Sequence, residues 1–431
     1  MLSRHRLPAI IVVLLLVGCH RTLAPSPNLY VHVEDDPFAD VPIELRTPDV
    51  YMLYVTDRAI ERERNGTIEY GSGRTGWSSF GHATVEIGRG LTWEQLVDAS
   101  CANRRKENPR LKMGTVRELG RFPVTPGPLV MDEHEPREAD DYLEQRDDAR
   151  EAFHVALRRR LALTPRKEAF VFIHGFSNTF EDAAFRLAEM WHFLGREGVP
   201  VLYSWPAGHS GLIRGYTSDR EAGEFTIYHL KQFFEALAAC EELEKVHIIA
   251  HSRGTDIVTT ALRELVIAHT YSGKDPQQEY KIGNVVLAAP DIDNTVSQQR
   301  NAADHLQRIW EHLTVYITPN DQALASAEWL LASPTRLGRI RPEDMNSRDM
   351  ERLLAFPDGE IVDARITTDL LGHSYFINSP AVFSDLILVL RGHDELSQGQ
   401  RPLTQLIPNW YIINDDYPME AAPLPRRMRE K

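Results

Sequence analysis

A serine at the end of an apolar run is the residue of this chain best placed to act as a nucleophile. Residues 246–250 read VHIIA, and His251, Ser252, Arg253 and Gly254 follow them before a helix-like pattern begins. A buried strand has no need of a hydroxyl at its end, whereas a nucleophile has to be presented on a sharp turn of this kind. The other role open to Ser252 is to cap the following helix, for which serine is also favoured.

His373 is the histidine that we assign as the base for Ser252. Of the 17 histidines in the chain, His373 follows the last predicted sheet strand, in the sequence Gly372-His373-Ser374-Tyr375. An imidazole titrates near neutral pH, so it can accept the serine proton and later return it to a leaving group.

A carboxylate must hold this imidazole in one tautomer, and three aspartates follow the intervening strands. Asp321 follows residues 313–317, and Asp291 and Asp293 follow residues 284–289. We assign Asp321 as the acid and keep Asp291 and Asp293 as alternatives. The aspartates that do not serve as the acid are expected in turns or helix caps.

The chain order serine, aspartate, histidine is that of the α/β-hydrolases. The pentapeptide from Ala250 to Gly254 resembles their G-x-S-x-G nucleophile elbow, with alanine in place of the first glycine. Small residues flank the serine in such a turn because the backbone must fold back on itself. The resemblance implies an oxyanion hole formed by the backbone N–H groups of Arg253 and of Phe176, which lies in the loop after residues 169–173.

The elements that must position these residues are short apolar runs separated by amphipathic helices. Six runs are β-branched and apolar without alternation, which is typical of strands buried on both faces of a parallel sheet. They cover residues 169–173, 199–204, 246–250, 284–289, 313–317 and 360–366. This alternation predicts a mostly parallel sheet with helices on both faces, whose ligands bind beyond the carboxyl ends of the strands.

The sequence on the N-terminal side predicts antiparallel rather than parallel strands. Short β-like pieces between residues 49 and 125 indicate antiparallel strands, and turn-rich segments such as 65–76 separate them.

Longer strings of the sequence resemble a bacterial family of α/β-hydrolase-like proteins of poorly defined function. These strings are FIHGFSNTFEDAAFRLAEM, YSWPA followed by GYTSDREA, AHSRGTDIV, LAAPDID, PNDQALASAEWL and GHSYF, with YVTDR and YGSGR upstream. The resemblance covers roughly residues 50–390 and implies the α/β-hydrolase fold, with Ser252, Asp321 and His373 on the motif positions of the family. It implies little about the substrate.

Composition and charge restrict the class of partner. The 431-residue chain is 42% apolar and 26% charged, as is typical of a globular protein, and its net charge of -14 disfavours a nucleic-acid partner. No cofactor is indicated. His174, His251 and His373 follow separate strands without the short spacing of metal ligands, so no metal site is expected.

The N-terminus predicts export and lipidation. Arg4 and Arg6 precede an apolar stretch over residues 9–17, which is shorter than the ~20 residues needed to cross a bilayer. The sequence Leu-Val-Gly-Cys ending at Cys19 resembles a bacterial lipobox, in which the cysteine is lipidated, with a plain signal peptide as the alternative. Because His20 follows the cysteine, the resemblance implies a lipid-anchored protein of the bacterial cell envelope, at the outer membrane and facing the periplasm.

We therefore divide the chain into four parts. They are a lipoprotein signal peptide (1–18), a tether (19–45), an α/β-hydrolase domain with an N-terminal β extension (46–395) and a Pro-rich C-terminal tail (396–431). Whether Cys101 and Cys240 form a disulfide stays open.

The expected function is hydrolysis of carboxylic esters by a serine hydrolase that forms an acyl-enzyme. Amide hydrolysis and acyl transfer use the same three residues and stay open. A second hypothesis, from another class, is a catalytically silent lipoprotein that keeps the fold as a binding or assembly module. Near the site, a helix-start cap is the assigned role of Asp219, and a functional role for Tyr216 and Asp219 is the alternative. Arg253 could steer an anionic substrate or form a surface ion pair.

Overall fold

The computed structural model describes residues 21–31, 36–132, 135–270, 273–331, 333–354, 358–366, 372–392 and 401–417. The strands in these ranges are β1 Asp49–Arg64, β2 Thr67–Ile87, β3 Leu111–Arg121, β4 Leu129–Asp132, β5 Glu135–Glu138, β6 Glu168–Ile173, β7 Val199–Ser204, β8 Lys245–His251, β9 Ile282–Ala288, β10 Trp310–Ile317, β11 Gly359–Arg365, β12 Thr404–Ile407 and β13 Trp410–Asn414. The α-helices are α1 Trp93–Cys101, α2 Asp140–Leu161, α3 Phe180–Phe193, α4 Leu212–Ala238, α5 Arg253–Thr270, α6 Pro276–Tyr280, α7 Asn294–Gln298, α8 Gln322–Leu331, α9 Ser347–Leu354, α10 Tyr375–Asn378 and α11 Pro380–Leu390.

One large sheet organises the described part of the chain. Its eleven strands run in the order β12-β13-β11-β10-β9-β8-β6-β7-β1-β2-β3, and β4 pairs with β5 separately. Every neighbouring pair from β13 to β1 is parallel, whereas β2, β3 and β12 run antiparallel to their neighbours. The predicted α/β-hydrolase fold, with a mostly parallel sheet and antiparallel strands at the N-terminal side, is confirmed.

The six predicted parallel strands are present, and their ends differ from prediction by at most three residues. Alternate side chains of β6 enter different cores: Phe170 and Phe172 belong to one, and Val171 and Ile173 to the other. Because a core covers each face of the sheet, both sets of side chains are apolar, and the strand shows no polar alternation.

The first hairpin is longer than the sequence predicts. Of the turn-rich segment 65–76, only Asn65 and Gly66 form the turn, with φ of +52° and +72°, and β2 begins at the next residue. Asn-Gly is favoured in two-residue hairpins because both positions need positive φ. The glycines and serines that follow are weak strand formers, and their pairing with β1 overrides this weakness.

The predicted tether over residues 19–45 is wrong for its described part. Leu29, Tyr30 and Phe38 are buried in one of the two cores, and the Tyr30 hydroxyl donates to Phe193 O at the end of α3. Scattered large apolar residues, rather than periodicity, attach this segment to the domain. The predicted signal peptide and Cys19 lie outside the described residues.

The boundary of the predicted C-terminal tail at residue 396 is also wrong. Strands β12 and β13 extend the sheet beyond β11, and Trp410 is fully buried. Arg401 forms a buried ion pair with Asp385 of α11 at 2.7 Å. The proline-rich composition of this segment gives no strand pattern, and β13 pairs with β11, which lies about 50 residues earlier in the chain.

The two remaining cysteines are free thiols. Cys240 is buried in one core, and Cys101 packs against the other, so they do not pair. Among the described residues, no helix combines the length and the apolar character that crossing a bilayer requires.

Candidate active site

Ser252 lies on the turn that joins β8 to α5. Its φ is +52°, a left-handed conformation that residues with a side chain rarely adopt, and only 5% of the residue is exposed. The Ser252 N–H donates to Ala288 O at 2.9 Å, which ties the turn to the end of β9. A strand that reverses into a helix through one strained serine has the geometry of a nucleophile elbow.

The loop after β6 passes so close to this turn that two positions require glycine. A methyl group on Gly175 would lie 2.7 Å from Ser252 Cβ, and one on Gly254 would lie 2.5 Å from His174 O. Both distances are far shorter than van der Waals contact. Ala250 is fully buried within β8, so its methyl group is accommodated where the elbow pattern has its first glycine.

His373 and Asp321 meet at the carboxyl ends of the neighbouring strands. His373 Nδ1 lies 2.7 Å from Asp321 Oδ2, and Asp321 is fully buried. The other carboxylate oxygen accepts from Leu324 N at 2.9 Å, so backbone at the start of α8 fixes the acid. The carboxylate oxygen accepts and Nδ1–H donates in this contact, which leaves Nε2 as the ring nitrogen that can act as the base.

His251 holds this pair beside the serine. The rings of His251 and His373 are 4.8 Å apart, and His251 Nε2 donates to His373 O at 3.2 Å. Burial lowers the pKa of His251 well below its usual range, so the imidazole is neutral at neutral pH. Within the described ranges no hydrogen bond joins Ser252 Oγ to the His373 imidazole; such bonds often form only with substrate in place.

The two alternative acids have different contacts. Asp293 caps α7 by accepting from Thr295 N at 2.8 Å and from Val296 N at 3.2 Å. Asp291 is buried, accepts from Tyr216 Oη at 2.9 Å and pairs with Arg336 at 3.2 Å. Burial raises the pKa of Asp291 against the opposing effect of Arg336. Among the described contacts, neither carboxylate bonds to an imidazole.

The two predicted oxyanion donors border the serine. Arg253 is the first residue of α5, where a backbone N–H has no acceptor within the helix. Phe176 lies in the loop between β6 and α3, and its N–H has no acceptor among the described residues. The buried Arg253 side chain pairs with Asp256 at 2.8 Å, so of its two expected roles the structure shows an ion pair.

His174 is a structural residue of the same loop. Its Nε2 lies 3.3 Å from the Arg58 guanidinium, which can only donate, so Nε2 is an acceptor and the proton is on Nδ1. Nδ1–H then donates to Gly175 O at 3.0 Å. Burial, with the Arg58 charge as the second cause, lowers the pKa of His174 to about 3, so the imidazole is neutral.

Sequence reasoning missed the roles of two buried charged residues behind this loop. Asp219 is not a helix-start cap, because it lies inside α4 and accepts from Ser177 N at 2.9 Å. Arg58 is the last buried residue of β1 and is 2% exposed. Charged residues at the end of an apolar strand, as in YVTDR, were the available signal.

No metal-binding cluster is present in the described ranges, where no three His, Cys, Asp or Glu side chains are arranged to hold an ion.

A mostly parallel sheet, an elbow serine after β8 and a His–Asp pair beyond the later strands define the class as α/β hydrolase. Residues 149–390 match the model of a family described as alpha/beta hydrolase of unknown function (DUF900). This match spans more than half of the chain, and the chain belongs to that family.

Two solved structures match parts of the chain at low sequence identity. A predicted CIB-like hydrolase from Thermoplasma acidophilum is 16% identical, with 53% of this chain and 88% of that chain covered and a TM-score of 0.29. A protein from Lactobacillus plantarum WCFS1, described as a cell surface hydrolase, is 12% identical, with 39% and 78% covered and a TM-score of 0.24. No curated protein matches the chain.

Proposed function

We propose that this protein is a serine hydrolase that cleaves carboxylic esters through an acyl-enzyme. The observation that carries the proposal is the 2.7 Å contact between His373 Nδ1 and Asp321 Oδ2, beside a serine on a strained strand-to-helix turn. The same contact supports Asp321, rather than Asp291 or Asp293, as the acid.

In this mechanism Ser252 Oγ attacks the ester carbonyl while His373 Nε2 takes the hydroxyl proton. Asp321 stabilises the imidazolium that forms, because its carboxylate already faces Nδ1. The tetrahedral intermediate collapses, the C–O bond to the alcohol breaks, and His373 returns the proton to the departing oxygen. Water then repeats the sequence on the acyl-enzyme and releases the acid and Ser252.

The developing oxyanion needs donors that are fixed before the reaction starts. The N–H groups of Phe176 and Arg253 are the ones we assign, and removing one such donor typically lowers kcat about 10²–10³-fold. The N-terminus of α5 adds a partial positive charge at the same place.

A fluorophosphonate probe tests the activation of Ser252. We expect the wild-type protein to be labelled and Ser252→Ala to remain unlabelled. Ser379→Ala is a matched control, because Ser379 is also buried and caps a helix, α11, by accepting from Val382 N. Labelling should persist in this control.

The binding-module hypothesis predicts a different result. An unlabelled wild-type protein, or equal labelling of wild type and Ser252→Ala, would favour a catalytically silent protein. If labelling is specific, a series of p-nitrophenyl esters beside the matching p-nitroanilides would separate ester from amide hydrolysis.

We also propose that Cys19 is lipidated and anchors the protein in the cell envelope, at the outer membrane. The support for lipidation is the sequence pattern that ends at Cys19, and the support for the outer membrane is His20 after it. Metabolic labelling with palmitate should mark the wild type and Cys101→Ser but leave Cys19→Ser unlabelled. Label retained in Cys19→Ser would contradict this proposal and leave the proposed hydrolase activity untouched.

A further inference from the structure

Two buried residues of opposite charge lie behind the loops that follow β6 and β7. Arg58 belongs to β1 and is 2% exposed, and Asp219 belongs to α4 and is 1% exposed. Neither residue has a part in the proposed mechanism, and both are far in sequence from Ser252.

Arg58 uses all five of its guanidinium N–H groups. Nε donates to a side chain of β7, each N–H of Nη1 to a carbonyl, and Nη2 to a carbonyl and to the acceptor nitrogen of a histidine. The acceptors are Ser204 Oγ at 2.9 Å, Gly71 O at 2.9 Å, Ala207 O at 2.7 Å, Asn178 O at 2.8 Å and His174 Nε2 at 3.3 Å. In the described part of the chain, no carboxylate forms an ion pair with this guanidinium.

Asp219 complements Arg58 by accepting N–H groups of the same two loops. Its Oδ2 accepts from Ser177 N at 2.9 Å and from Gly208 N at 3.1 Å. Its Oδ1 accepts from His209 N at 3.1 Å and contacts His209 Nδ1 at 2.7 Å.

The two residues bind both ends of one peptide group in the loop after β7, and two peptide groups separated by a single peptide in the loop after β6. In the loop after β6, Asp219 binds Ser177 N and Arg58 binds Asn178 O. In the loop after β7, Asp219 binds Gly208 N and Arg58 binds Ala207 O. A donor-only residue thus binds the carbonyls and an acceptor-only residue binds the amides, so neither could replace the other.

Electrostatics agree with this arrangement. Burial lowers the pKa of Arg58 to about 10, and the negative charges of Asp57 and Asp219 act in the opposite direction. The guanidinium is therefore protonated at neutral pH. It also fixes the tautomer of His174, whose Nδ1–H is directed at Gly175 O, the carbonyl oxygen of the same peptide group that bears the Phe176 N–H.

We propose that Arg58 and Asp219 form a loop clamp that sets the position of the Phe176 amide relative to Ser252. Both are positioning residues, since neither touches the reacting atoms. The catalytic part of this inference rests on the proposed function.

The loop clamp accounts for family-like strings that the three catalytic residues leave unexplained. Arg58 ends the string YVTDR, and Asp219 lies in GYTSDREA. Their partners lie in YGSGR, in FIHGFSN, and in YSWPA together with the two residues that follow it. Five separated strings therefore meet in one hydrogen-bond network beside the nucleophile.

Two variants test the loop clamp. Arg58→Lys keeps the charge but offers three donors instead of five, and Asp219→Asn replaces one acceptor oxygen by a donor. Arg196→Lys is the matched control, because Arg196 is 1% exposed and donates to the carbonyls of Leu45 and Asp49, away from the loop clamp.

Two measurements would be made on each protein. Hydrogen exchange of peptides covering 174–179 and 205–210 reports on the loops without requiring activity. The concentration dependence of fluorophosphonate labelling gives a maximal rate and a half-saturating concentration for Ser252.

We expect faster exchange of both loop peptides in Arg58→Lys and Asp219→Asn. We also expect an about 100-fold lower maximal labelling rate with little change in half-saturation, since a 1 Å misplacement of catalytic groups can cost this much. Arg196→Lys should lower Tm while leaving the loop peptides and the labelling rate unchanged.

The outcomes that would overturn the inference are distinct. Unchanged loop exchange in both variants would disprove the loop clamp. Faster exchange with a wild-type labelling rate would disprove its catalytic consequence. If the wild type itself is not labelled, the proposed function and that consequence fail together, and hydrogen exchange alone decides whether the loop clamp exists.

Discussion

At the residue scale, hydrogen bonds prepare three histidines at the carboxyl end of the sheet for different tasks. His174 is held neutral between Arg58 and Gly175 O, and His251 donates to a backbone carbonyl. Of these three, His373 alone faces a carboxylate through its imidazole. Its assignment as the base therefore follows from its partner, since all three residues carry the same ring.

The choice of acid is tested by Asp321→Asn beside Asp291→Asn. Asparagine at position 321 can turn its N–H groups to the imidazole and favour the wrong tautomer, so we expect kcat to fall about 10³–10⁴-fold. Asp291→Asn keeps the acceptor for Tyr216 and should change kcat less than about tenfold. Steady-state kinetics on an activated ester measure both, and a larger loss at Asp291 would contradict the assignment.

His174 makes the stability of the fold dependent on pH. Burial lowers its pKa in the folded state to about 3, whereas a free imidazole titrates near 6.5. Below about pH 6.5 the unfolded chain therefore binds a proton that the folded protein excludes. Its contribution to stability is complete above that pH and is lost progressively as the pH falls from about 6.5 towards about 3.

Urea unfolding of the wild type and His174→Gln at pH 7 and pH 5 checks this dependence. The variant should lose less stability between the two pH values, with a difference of at most about 1.4 kcal/mol per pH unit for one proton. The comparison uses the slope with pH, so any constant loss from the substitution cancels. Equal slopes in the two proteins would contradict the assignment of His174 as neutral.

At the element scale, the site depends on how closely the loop after β6 approaches the turn between β8 and α5. The contact is formed by Gly175 and Gly254, by the carbonyl oxygens of residues 173, 174 and 251, and by the side chains of His251 and Ser252. The contact places two backbone N–H groups, one from each element, around the same serine. In the proposed mechanism, small residues at these positions therefore bring the oxyanion donors to the serine, in addition to giving the backbone freedom.

Gly175→Ala tests the close approach. The added methyl group would lie 2.7 Å from Ser252 Cβ and must separate the loop from the turn. We expect kcat to fall about 100-fold, with KM less affected, because the oxyanion donors move away from the serine. Gly283→Ala is the control. Gly283 lies at the start of β9, away from Ser252, and its added methyl group would lie 2.9 Å from His247 Cε1. A similar loss of kcat in both variants would indicate general damage to the fold.

At the scale of the whole molecule, segments from both ends of the described chain complete the domain. Tyr30 and Phe38 fill one core, and β13 pairs with β11 at the opposite side of the sheet from β3. Arg401 binds Asp385 and Glu360 with all three side chains buried, so its loss would leave two uncompensated carboxylates. The domain therefore extends beyond the 46–395 boundaries that the sequence predicts.

Removal of residues 396–431 should therefore destabilise the fold severely. The truncation removes Arg401 and exposes the edge of β11, and losing one partner of a buried ion pair typically costs about 3–5 kcal/mol. Trp410→Ala, in the full-length chain, should cost about 3–5 kcal/mol as a large-to-small change in a core. A chain that ends at residue 417 keeps every contact described above and is the control. A urea midpoint close to that of the wild type for the chain that ends at residue 395 would contradict this role of β13.

What the sequence determined by itself was the order of the parallel strands along the chain and the residues at their carboxyl ends. Burial on both faces imposes a continuous apolar run, and Ser252, Asp321 and His373 each follow such a run, so local pattern is enough to find them. Tertiary structure alone decided which aspartate meets the imidazole, since Asp291 and Asp321 follow neighbouring strands and differ only in what lies opposite them. It also decided the roles of Arg58, Asp219 and Trp410. Their partners are distant in sequence, and contacts between distant residues produce no periodic pattern in the sequence.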